Sequence, residues 1–318
     1  MSIDWNGIIL DAPSPAAAWT EIFAALLALS KATSSPVALH DATVVPDRLL
    51  AEAAWELWEA FPLQAETTAD HLKAWAAADP AGKAVLILDA LSLRELPIIL
   101  GAAETRGVEP VQVRVTGSAC PSTTDHFAKS LGLPGRSALA NNNKPGTLAL
   151  FGGDCYTEVV GLPFADCAVP PSPNLLFWHT WLDDLIHLQK KLPDQVATIA
   201  ADTLQSDGFW GFLDRLRQGR NLVITSDHGY AVSKRFSSEV EDPEAIDILR
   251  TTFGASRNRA AGEPWQKRFM PPMVMTHNNQ HVIMGQRKWK APGGFPHFCH
   301  GGMSLLEVAV PFVEFPAR

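Results

Sequence analysis

The chain has 318 residues, of which 47% are hydrophobic and 19% are charged, as in an ordinary globular protein. This length suits one large α/β domain or two smaller ones. The formal net charge of −8 excludes the broad basic face of proteins that coat nucleic acid indiscriminately, although it leaves room for a local basic cleft. We find no export signal and no apolar run long enough to cross a bilayer, so we expect a cytoplasmic protein without membrane association.

The amino-terminal part of the chain is predicted to be helical. Helices are expected over Pro15–Ala32, Pro46–Phe61 and Thr67–Ala77, and the first two begin with a proline, which favours a first turn. None of these segments contains an obvious cluster of catalytic or metal-binding residues. We therefore expect residues 1–82 to form a helical region that packs on the rest of the chain.

From Lys83 onward, short apolar runs alternate with helical patterns. Strands are predicted in AVLILD, VQVRV, TLALFGG, NLLFWHTW and NLVITSD, and helices between several of them. This alternation predicts an α/β fold in which a mostly parallel central sheet is covered on both faces by helices.

Acidic residues and a histidine stand where two of the predicted strands end. Asp89 follows one strand, and Asp227 and His228 follow another. Ligands bind at the carboxyl edge of open α/β sheets, so these groups could hold a metal ion there. The alternatives are local: Asp89 could cap a helix, and Asp227–Gly229 could form a turn in which glycine supplies a positive φ.

Three further residues extend this set of candidate ligands. Asp183 and His187 stand four apart in WLDDLIH, so a helix would present both on one face, and His300 precedes a glycine pair before the closing strand. A solvated helix face and a buried core histidine are the alternatives. Mixed Asp and His ligands suit a pair of divalent ions for displacement at phosphorus, with zinc expected and manganese the alternative.

A nucleophile for such a site could come from the loop CPSTTDHF, which follows a predicted strand. It supplies the hydroxyls of Ser122, Thr123 and Thr124 beside a predicted helix start. No G-x-S-x-G stretch is present, which disfavours a serine hydrolase.

Five stretches in chain order, LILDAL, PSTT, LDDLIH, TSDHGY and HGGMSLLEVAVP, resemble the PglZ domain of the alkaline phosphatase superfamily, the domain found in phage-exclusion systems of the BREX type. The resemblance runs roughly from Lys83 to Phe315. It implies an alkaline phosphatase-like domain over residues 83–318, with about 231–290 as a cap-like insertion, and a bimetal phosphoesterase site.

The resemblance also implies roles for the candidate residues. The first ion would be held by Asp89, Asp227 and His228, and Thr124, the nucleophile in the family pattern, would contact it. The second ion would be held by Asp183, His187 and His300. Ser122 is the alternative nucleophile. Many family members have an arginine where this chain has Ser92. If that arginine binds phosphate, either Arg94 replaces it here or the phosphate contact is absent.

The implied activity is that of a metal-dependent phosphatase or phosphodiesterase. We expect diesters, of the nucleotide or oligonucleotide class, to be preferred to monoesters, and a role in bacterial phage defence with protein partners. One alternative is a non-enzymatic, metal-bound scaffold that binds partners of a defence complex. Another is a phosphate-transferring mutase of the same superfamily.

A basic stretch lies between the SDHG element and His300, and Glu263 is its one acidic residue. Its members are Arg250, Arg257, Arg259, Lys267, Arg268, Arg287, Lys288 and Lys290. This stretch could guide a polyanionic substrate toward the site, with Trp265 and Trp289 available for base stacking. The alternatives are a solvated surface insertion and two core tryptophans. His126, His277, His281 and His297 are assigned no role.

Overall fold

The computed structural model describes most of the chain. The described residues are 3–33, 35–78, 82–143, 145–187, 192–236, 238–263, 265 and 269–318. Lys267 and Arg268 of the basic stretch lie outside them. The α-helices are α1 Trp5–Leu10, α2 Pro15–Ala32, α3 Pro36–Glu52, α4 Trp55–Gln64, α5 Thr68–Ala78, α6 Leu96–Thr105, α7 Thr124–Ser130, α8 Trp181–His187, α9 Pro193–Gln205, α10 Asp207–Arg217, α11 Pro243–Phe253 and α12 Leu305–Val308.

The strands form one large central sheet and several small ribbons. They are β1 Lys83–Leu88, β2 Gln112–Gly117, β3 Tyr156–Val160, β4 Asn174–His179, β5 Asn221–Thr225, β6 Ala231–Val232, β7 Ser238–Glu239, β8 Asn258–Ala260, β9 Val274–His277, β10 Gln280–Ile283, β11 Arg287–Lys288, β12 Phe298–Cys299 and β13 Ala309–Phe315. Short 3₁₀ helices span Arg136–Asn142, Phe151–Gly153, Phe164–Asp166 and Ser233–Arg235.

The central sheet has six strands in the order β2-β13-β5-β1-β4-β3. Strands β5, β1, β4 and β3 pair in parallel, and β13 runs antiparallel between β5 and β2. Strand β1 is buried along its whole length, as expected for a parallel strand covered on both faces. The predicted α/β class with a mostly parallel sheet is therefore confirmed.

Helices α1 to α5 precede β1 and pack on the sheet. Trp19 of α2 is fully buried against Trp58 and Phe61 of α4, and its indole N–H donates to the carbonyl oxygen of Leu57 at 3.0 Å. The same apolar cluster continues into the sheet at Leu86. One apolar core therefore includes residues on both sides of residue 82. The division of the chain at that residue stays a prediction.

Two predicted elements differ from the structure, and some observed elements were not predicted. The helix predicted over Pro46–Phe61 is wrong: α3 begins at Pro36, capped by Ser35, and passes through Pro46, and α4 begins separately at Trp55. The strand predicted in TLALFGG is also wrong, because Phe151 and Gly152 take positive φ values of 56° and 58° that a strand does not tolerate. Helix α9 was not predicted, although its buried Val196, Ala200 and Leu204 have helical spacing.

The basic stretch is less exposed than an electrostatic guide would require. Arg257 and Arg287 are 1% and 8% exposed, and Trp289 is 2% exposed with its N–H bonded to the Gly254 carbonyl oxygen. Trp265 packs edge-on against His281. Trp289 therefore follows the core alternative, and Trp265 is partly buried against the same apolar cluster. Only part of the basic set faces solvent. Among the described residues, no helix combines the length and apolarity that a membrane span requires.

Candidate metal centre

The SDHG segment joins the ends of β5 and β1. Ser226 Oγ lies 2.9 Å from the Leu88 carbonyl oxygen, and the Ala90 N–H donates to Asp227 Oδ1 at 3.1 Å. A Cβ on Gly229 would lie 2.3 Å from the Leu306 carbonyl oxygen. Glycine is therefore required at this position because the backbone of Leu306 passes too close for a side chain. The turn interpretation had instead explained this glycine by a positive φ.

The first predicted ligand group meets around one hydroxyl. Thr124 Oγ1 lies 2.8 Å from Asp227 Oδ2, 3.3 Å from His228 Nε2 and 3.4 Å from Asp89 Oδ1. All three ligand side chains are fully buried. His228 Nδ1 lies 2.9 Å from the Gly229 carbonyl oxygen, which can only accept, so Nδ1 carries the proton and the Nε2 lone pair faces the site.

The second predicted group meets beside α8. His187 Nε2 lies 3.3 Å from Asp183 Oδ1 and 3.0 Å from His300 Nε2. Asp183 Oδ1 also lies 3.9 Å from His300 Nε2, and it is buried without a hydrogen-bond partner among the described residues. Three nitrogen and oxygen ligand atoms thus converge on one point, which is the arrangement that a cation satisfies.

The two groups are continuous with each other. His228 belongs by position to the first group, yet ligand atoms of Asp183, His228 and His300 all lie within 4.8 Å of one another. Asp89, Asp227 and His228 satisfy the same criterion. The structure therefore brings all six predicted ligands together, while their assignment to individual ions stays a prediction.

The electrostatics of the site favour a bound cation. Burial raises the pKa of Asp89 to about 7, and the neighbouring Asp227 carboxylate adds to this rise. Burial also raises the pKa values of Asp227 and Asp183 to about 6 and lowers the pKa of His300 well below its usual value. Crowded carboxylates and deprotonated imidazoles are the ligands that divalent ions such as zinc or manganese use. These residues thus fit a pair of divalent ions.

Two contacts of Asp89 were missed by the sequence analysis. Its Oδ2 forms an ion pair with Arg136 Nη1 and accepts the Trp178 indole N–H at 3.1 Å. Trp178 stands in a predicted strand, where the sequence indicates only a core position. Arg136 lies in a 3₁₀ helix without a recognisable pattern, so no signal in the sequence points to it.

The loop that carries Thr124 also holds the HGG segment. Ser122 Oγ donates to the Gly302 carbonyl oxygen at 2.8 Å and accepts from the Gly301 N–H at 3.0 Å. Thr123 Oγ1 lies 2.8 Å from His126 Nδ1. Among the three hydroxyls of this loop, the one that contacts the ligand group is therefore that of Thr124, and Ser122 fixes the backbone next to His300.

The glycines after His300 accommodate a buried ion pair. Gly301 has a φ of +91°, and a Cβ on Gly302 would lie 2.4 Å from Arg257 Nε. Arg257 bonds both carboxylate oxygens of Glu307, at 2.8 and 2.9 Å, and Glu307 Oε1 accepts the Gly302 N–H at 3.0 Å. This pair ties the segment around Arg257 to the loop that positions His300.

Arg94 does not contact the candidate ligands. Its Nη1 donates to the Tyr230 carbonyl oxygen at 2.6 Å and to Ser92 Oγ at 3.1 Å. Arg94 therefore does not replace the arginine of the family pattern in this structure. The four unassigned histidines, His126, His277, His281 and His297, also make their hydrogen bonds away from the six ligands.

Comparison with known families agrees with this geometry. The family described as the BREX system PglZ alkaline phosphatase-like domain matches residues 184–315. The matched range contains His187, Asp227, His228 and His300. The match confirms the resemblance seen in the sequence, and with it the prediction of a metal-dependent hydrolase. No curated protein matches the sequence.

Solved structures of low sequence identity are also similar to this chain. Phosphonoacetate hydrolase from Sinorhizobium meliloti 1021 is 14% identical, with 75% of this chain and 90% of that chain covered and a TM-score of 0.41. Murine ectonucleotide pyrophosphatase/phosphodiesterase 5 is 14% identical, with 73% and 87% covered and a TM-score of 0.47. Both TM-scores lie below 0.5, so neither structure says which reaction this chain catalyses.

Proposed function

We propose that this chain, whose residues 184–315 match the PglZ alkaline phosphatase-like domain, is a two-metal phosphoesterase with Thr124 as its nucleophile. We further propose that its substrates are phosphodiesters of the nucleotide or oligonucleotide class. A role in bacterial phage defence, with protein partners, is part of the proposal and is supported by the family description alone.

The position of Thr124 Oγ1 is the observation that carries the proposal. It lies within 3.4 Å of two carboxylate oxygens and one imidazole nitrogen, at the carboxyl edge of β1 and β5. A threonine with an ordinary structural role would bond a nearby carbonyl or cap its helix. Here the hydroxyl instead lies among residues that fit a metal ion.

The chain's residues hold the reacting oxygen in one place. The Thr124 hydroxyl donates to Asp227 Oδ2 at 2.8 Å, which fixes the position of Oγ1. The proposed metals would be held by Asp89, Asp227 and His228 and by Asp183, His187 and His300. When bound, two divalent ions would lower the pKa of the hydroxyl and neutralise charge that develops on the phosphoryl oxygens.

The proposed reaction has two steps. The phosphoryl group is first transferred to Thr124 and is then released from it by hydrolysis. Thr124 Oγ releases its proton to solvent and attacks phosphorus, the bond to the leaving oxygen breaks with its electron pair, and the leaving alkoxide takes a proton from solvent. The chain then carries a phosphoester on Thr124. Water attacks this phosphorus, the bond to Oγ breaks, and the hydroxyl of Thr124 is restored with a proton from that water.

The preference for diesters rests on charge. Within the described residues, Arg136 is the one Lys or Arg that hydrogen-bonds or ion-pairs with the ligand set, and its guanidinium is already paired with Asp89. A diester carries one negative charge on its phosphoryl group, whereas a monoester dianion carries two and benefits more from a free cation. The site is therefore better matched to the diester.

The proposal is tested on purified chain loaded with zinc or manganese, with bis-p-nitrophenyl phosphate and p-nitrophenyl phosphate as substrates. We expect about two ions per chain and faster diester turnover. Thr124→Ala should lower turnover roughly a thousandfold or more, as loss of a nucleophile does, while Thr124→Ser retains part of it. Mass spectrometry of quenched reactions should find the adduct on Thr124.

Each contrary result has a definite meaning. An active Thr124→Ala variant would show that Ser122 or another group is the nucleophile. Bound metal without turnover of mono- or diesters, or of oligonucleotides, would favour the scaffold alternative. Transfer of phosphate only to an added acceptor would favour the mutase. Absence of bound metal after zinc or manganese is supplied would end the bimetal proposal.

A further inference from the structure

A cavity lies beside Arg94, apart from the six candidate ligands. Its volume is about 230 Å³. It lies between the first turns of α3 and α9 and the segment that follows the SDHG element. The described residues that line it are Ser35, Pro36, Val37, His40, Arg94, Pro193, Asp194, Ala197, Tyr230, Val232, Arg235 and Phe298.

Arg94 places a buried charge in the wall of this cavity. The residue is 4% exposed, and its guanidinium has five N–H donors. The described residues supply three acceptors, the Tyr230 carbonyl oxygen at 2.6 Å, Ser92 Oγ at 3.1 Å and His40 Nδ1 at a long 3.5 Å. Within the described part of the chain, no carboxylate forms an ion pair with it. A buried guanidinium without a carboxylate partner is unusual and costly.

Two neighbouring titratable groups surround this charge without an ion pair among the described residues, although the buried Glu95 carboxylate interacts with Arg94 electrostatically. Glu95 accepts hydrogen bonds from the Tyr230 hydroxyl at 2.7 Å and the Ser92 N–H at 3.0 Å, and burial raises its pKa. His40 Nε2 donates to the Arg235 carbonyl oxygen at 2.9 Å, and burial together with Arg94 lowers its pKa to about 4, so this histidine is neutral at pH 7.

Two residues of opposite charge, Arg235 and Asp194, lie at the rim of the cavity. Arg235 forms a surface ion pair with Asp41 at 3.3 Å. Asp194, in the first turn of α9, is exposed. Exposed charges are screened by water and salt, whereas the buried charge of Arg94 is not. Among the described residues that line the cavity, Arg94 therefore carries the charge that solvent screens least.

We propose that this cavity binds a small organic anion whose acidic group pairs with Arg94 and whose apolar body packs against Val37, Ala197 and Phe298. The volume of about 230 Å³ lies below the roughly 300 Å³ at which pockets for drug-sized ligands begin. The ligand is therefore about the size of one aromatic ring with its acidic group. A carboxylate or phosphonate would give the guanidinium the partner that the described residues do not provide.

The site is independent of the proposed reaction, because it uses none of the six ligands and not Thr124. It nevertheless adjoins the loops that carry them. The Tyr230 carbonyl oxygen bonded by Arg94 follows His228 closely in the chain, and Ser92 follows Asp89.

The test is titration calorimetry of the metal-loaded full chain with benzoate as the probe. Benzyl alcohol supplies the same ring without the charge, and inorganic phosphate supplies charge without the ring. We expect benzoate to bind the wild-type chain, and benzyl alcohol and phosphate to bind this site at least about tenfold more weakly, a difference of about 1.4 kcal/mol.

Two variants locate the binding. Ala197→Trp fills the cavity from α9 and should weaken benzoate binding at least about tenfold, whereas Ala201→Trp, one turn further along the same helix and outside the lining, should leave it unchanged. Arg94→Met should also abolish binding. Should that variant fail to fold, Ala197→Trp, checked by thermal unfolding, still decides the question.

Contrary outcomes overturn the proposal. Benzoate bound at the ions would be unaffected by Ala197→Trp, so an unchanged affinity in that variant would place the anion elsewhere. No binding to wild type at millimolar benzoate would show that the cavity takes no such ligand. Both results are independent of turnover, so they leave the proposed hydrolysis untouched.

Discussion

The imidazole rings of His228 and His300 stack with their centroids 4.1 Å apart and their planes inclined by 14°. The topology of the sheet explains this contact. His228 follows the carboxyl end of β5, and β13 runs antiparallel beside β5, so the segment that enters β13 lies at the same edge. The short pairing of Cys299 with Ala231 then fixes His300 next to the SDHG element. An antiparallel strand in a mostly parallel sheet thus supplies the last ligand.

Asp183 and Asp184 provide a matched pair for testing the second ligand group. Asp183→Asn removes the negative charge of the carboxylate whose Oδ1 faces both His187 and His300, so we expect one of two ions to be lost. Asp184 instead accepts the Thr180 hydroxyl at 2.6 Å, and Asp184→Asn should retain both ions. Metal analysis of the dialysed proteins measures this. Equal metal content in the two variants would contradict the assignment of Asp183.

Arg136 should compete with a cation for Asp89. Removal of its positive charge in Arg136→Ala leaves Asp89 without its paired guanidinium, so we expect tighter metal binding, by about tenfold or 1.4 kcal/mol. Competition with a chromophoric chelator measures the affinity. Arg48→Ala is the control, because Arg48 is exposed and its ion pair among the described residues is with Glu52. Weaker metal binding in Arg136→Ala would show that Arg136 supports the metal site.

The ion pair of Arg257 with Glu307 should be essential for stability. Both side chains are completely buried, so Arg257→Met leaves an unpaired carboxylate in the core and should lower the free energy of unfolding by about 3–5 kcal/mol. Arg259→Met, two residues further along the chain in β8, alters an exposed side chain and should change the free energy of unfolding by less than about 0.5 kcal/mol. Urea denaturation distinguishes the two. Equal effects would contradict the role assigned to the buried pair.

Asp47 should make the stability of the chain depend on pH. Burial raises its pKa from 3.8 to about 7, although it accepts hydrogen bonds from the Leu305 N–H and the Gln286 amide. The folded chain therefore keeps a proton that the unfolded chain releases, and the stability contributed by this group falls as the pH rises from 3.8 to about 7.

Asp47→Asn removes this dependence. We expect it to leave the free energy of unfolding nearly unchanged at pH 4 and to raise it by up to roughly 4 kcal/mol at pH 7. The new amide can also donate to Gln286 Oε1, which has no hydrogen-bond partner among the described residues, if the Gln286 amide turns over. Chemical denaturation of both proteins across this range is the measurement. A constant difference between them at every pH would show that Asp47 does not titrate as described.

The basic stretch between the SDHG element and His300 shows where sequence patterns mislead. Arg257 and Trp289 read as a surface cation and a stacking platform, and both are core residues. Charge in a sequence predicts exposure only when no partner is available, and the partner of Arg257, Glu307, lies far along the chain. The pairing depends on a tertiary contact that local composition does not encode.

The sequence by itself determined the α/β class, the strands β1, β4 and β5 and the six candidate ligands, because burial periodicity and the chemistry of strand ends are local properties. Only the tertiary structure decided which hydroxyl of Ser122, Thr123 and Thr124 faces the ligands, since a shift of one residue turns a side chain to the opposite side. It also placed Arg136 on Asp89 and Arg94 in a separate cavity. Those positions follow from how distant segments pack, and packing is fixed by the whole chain.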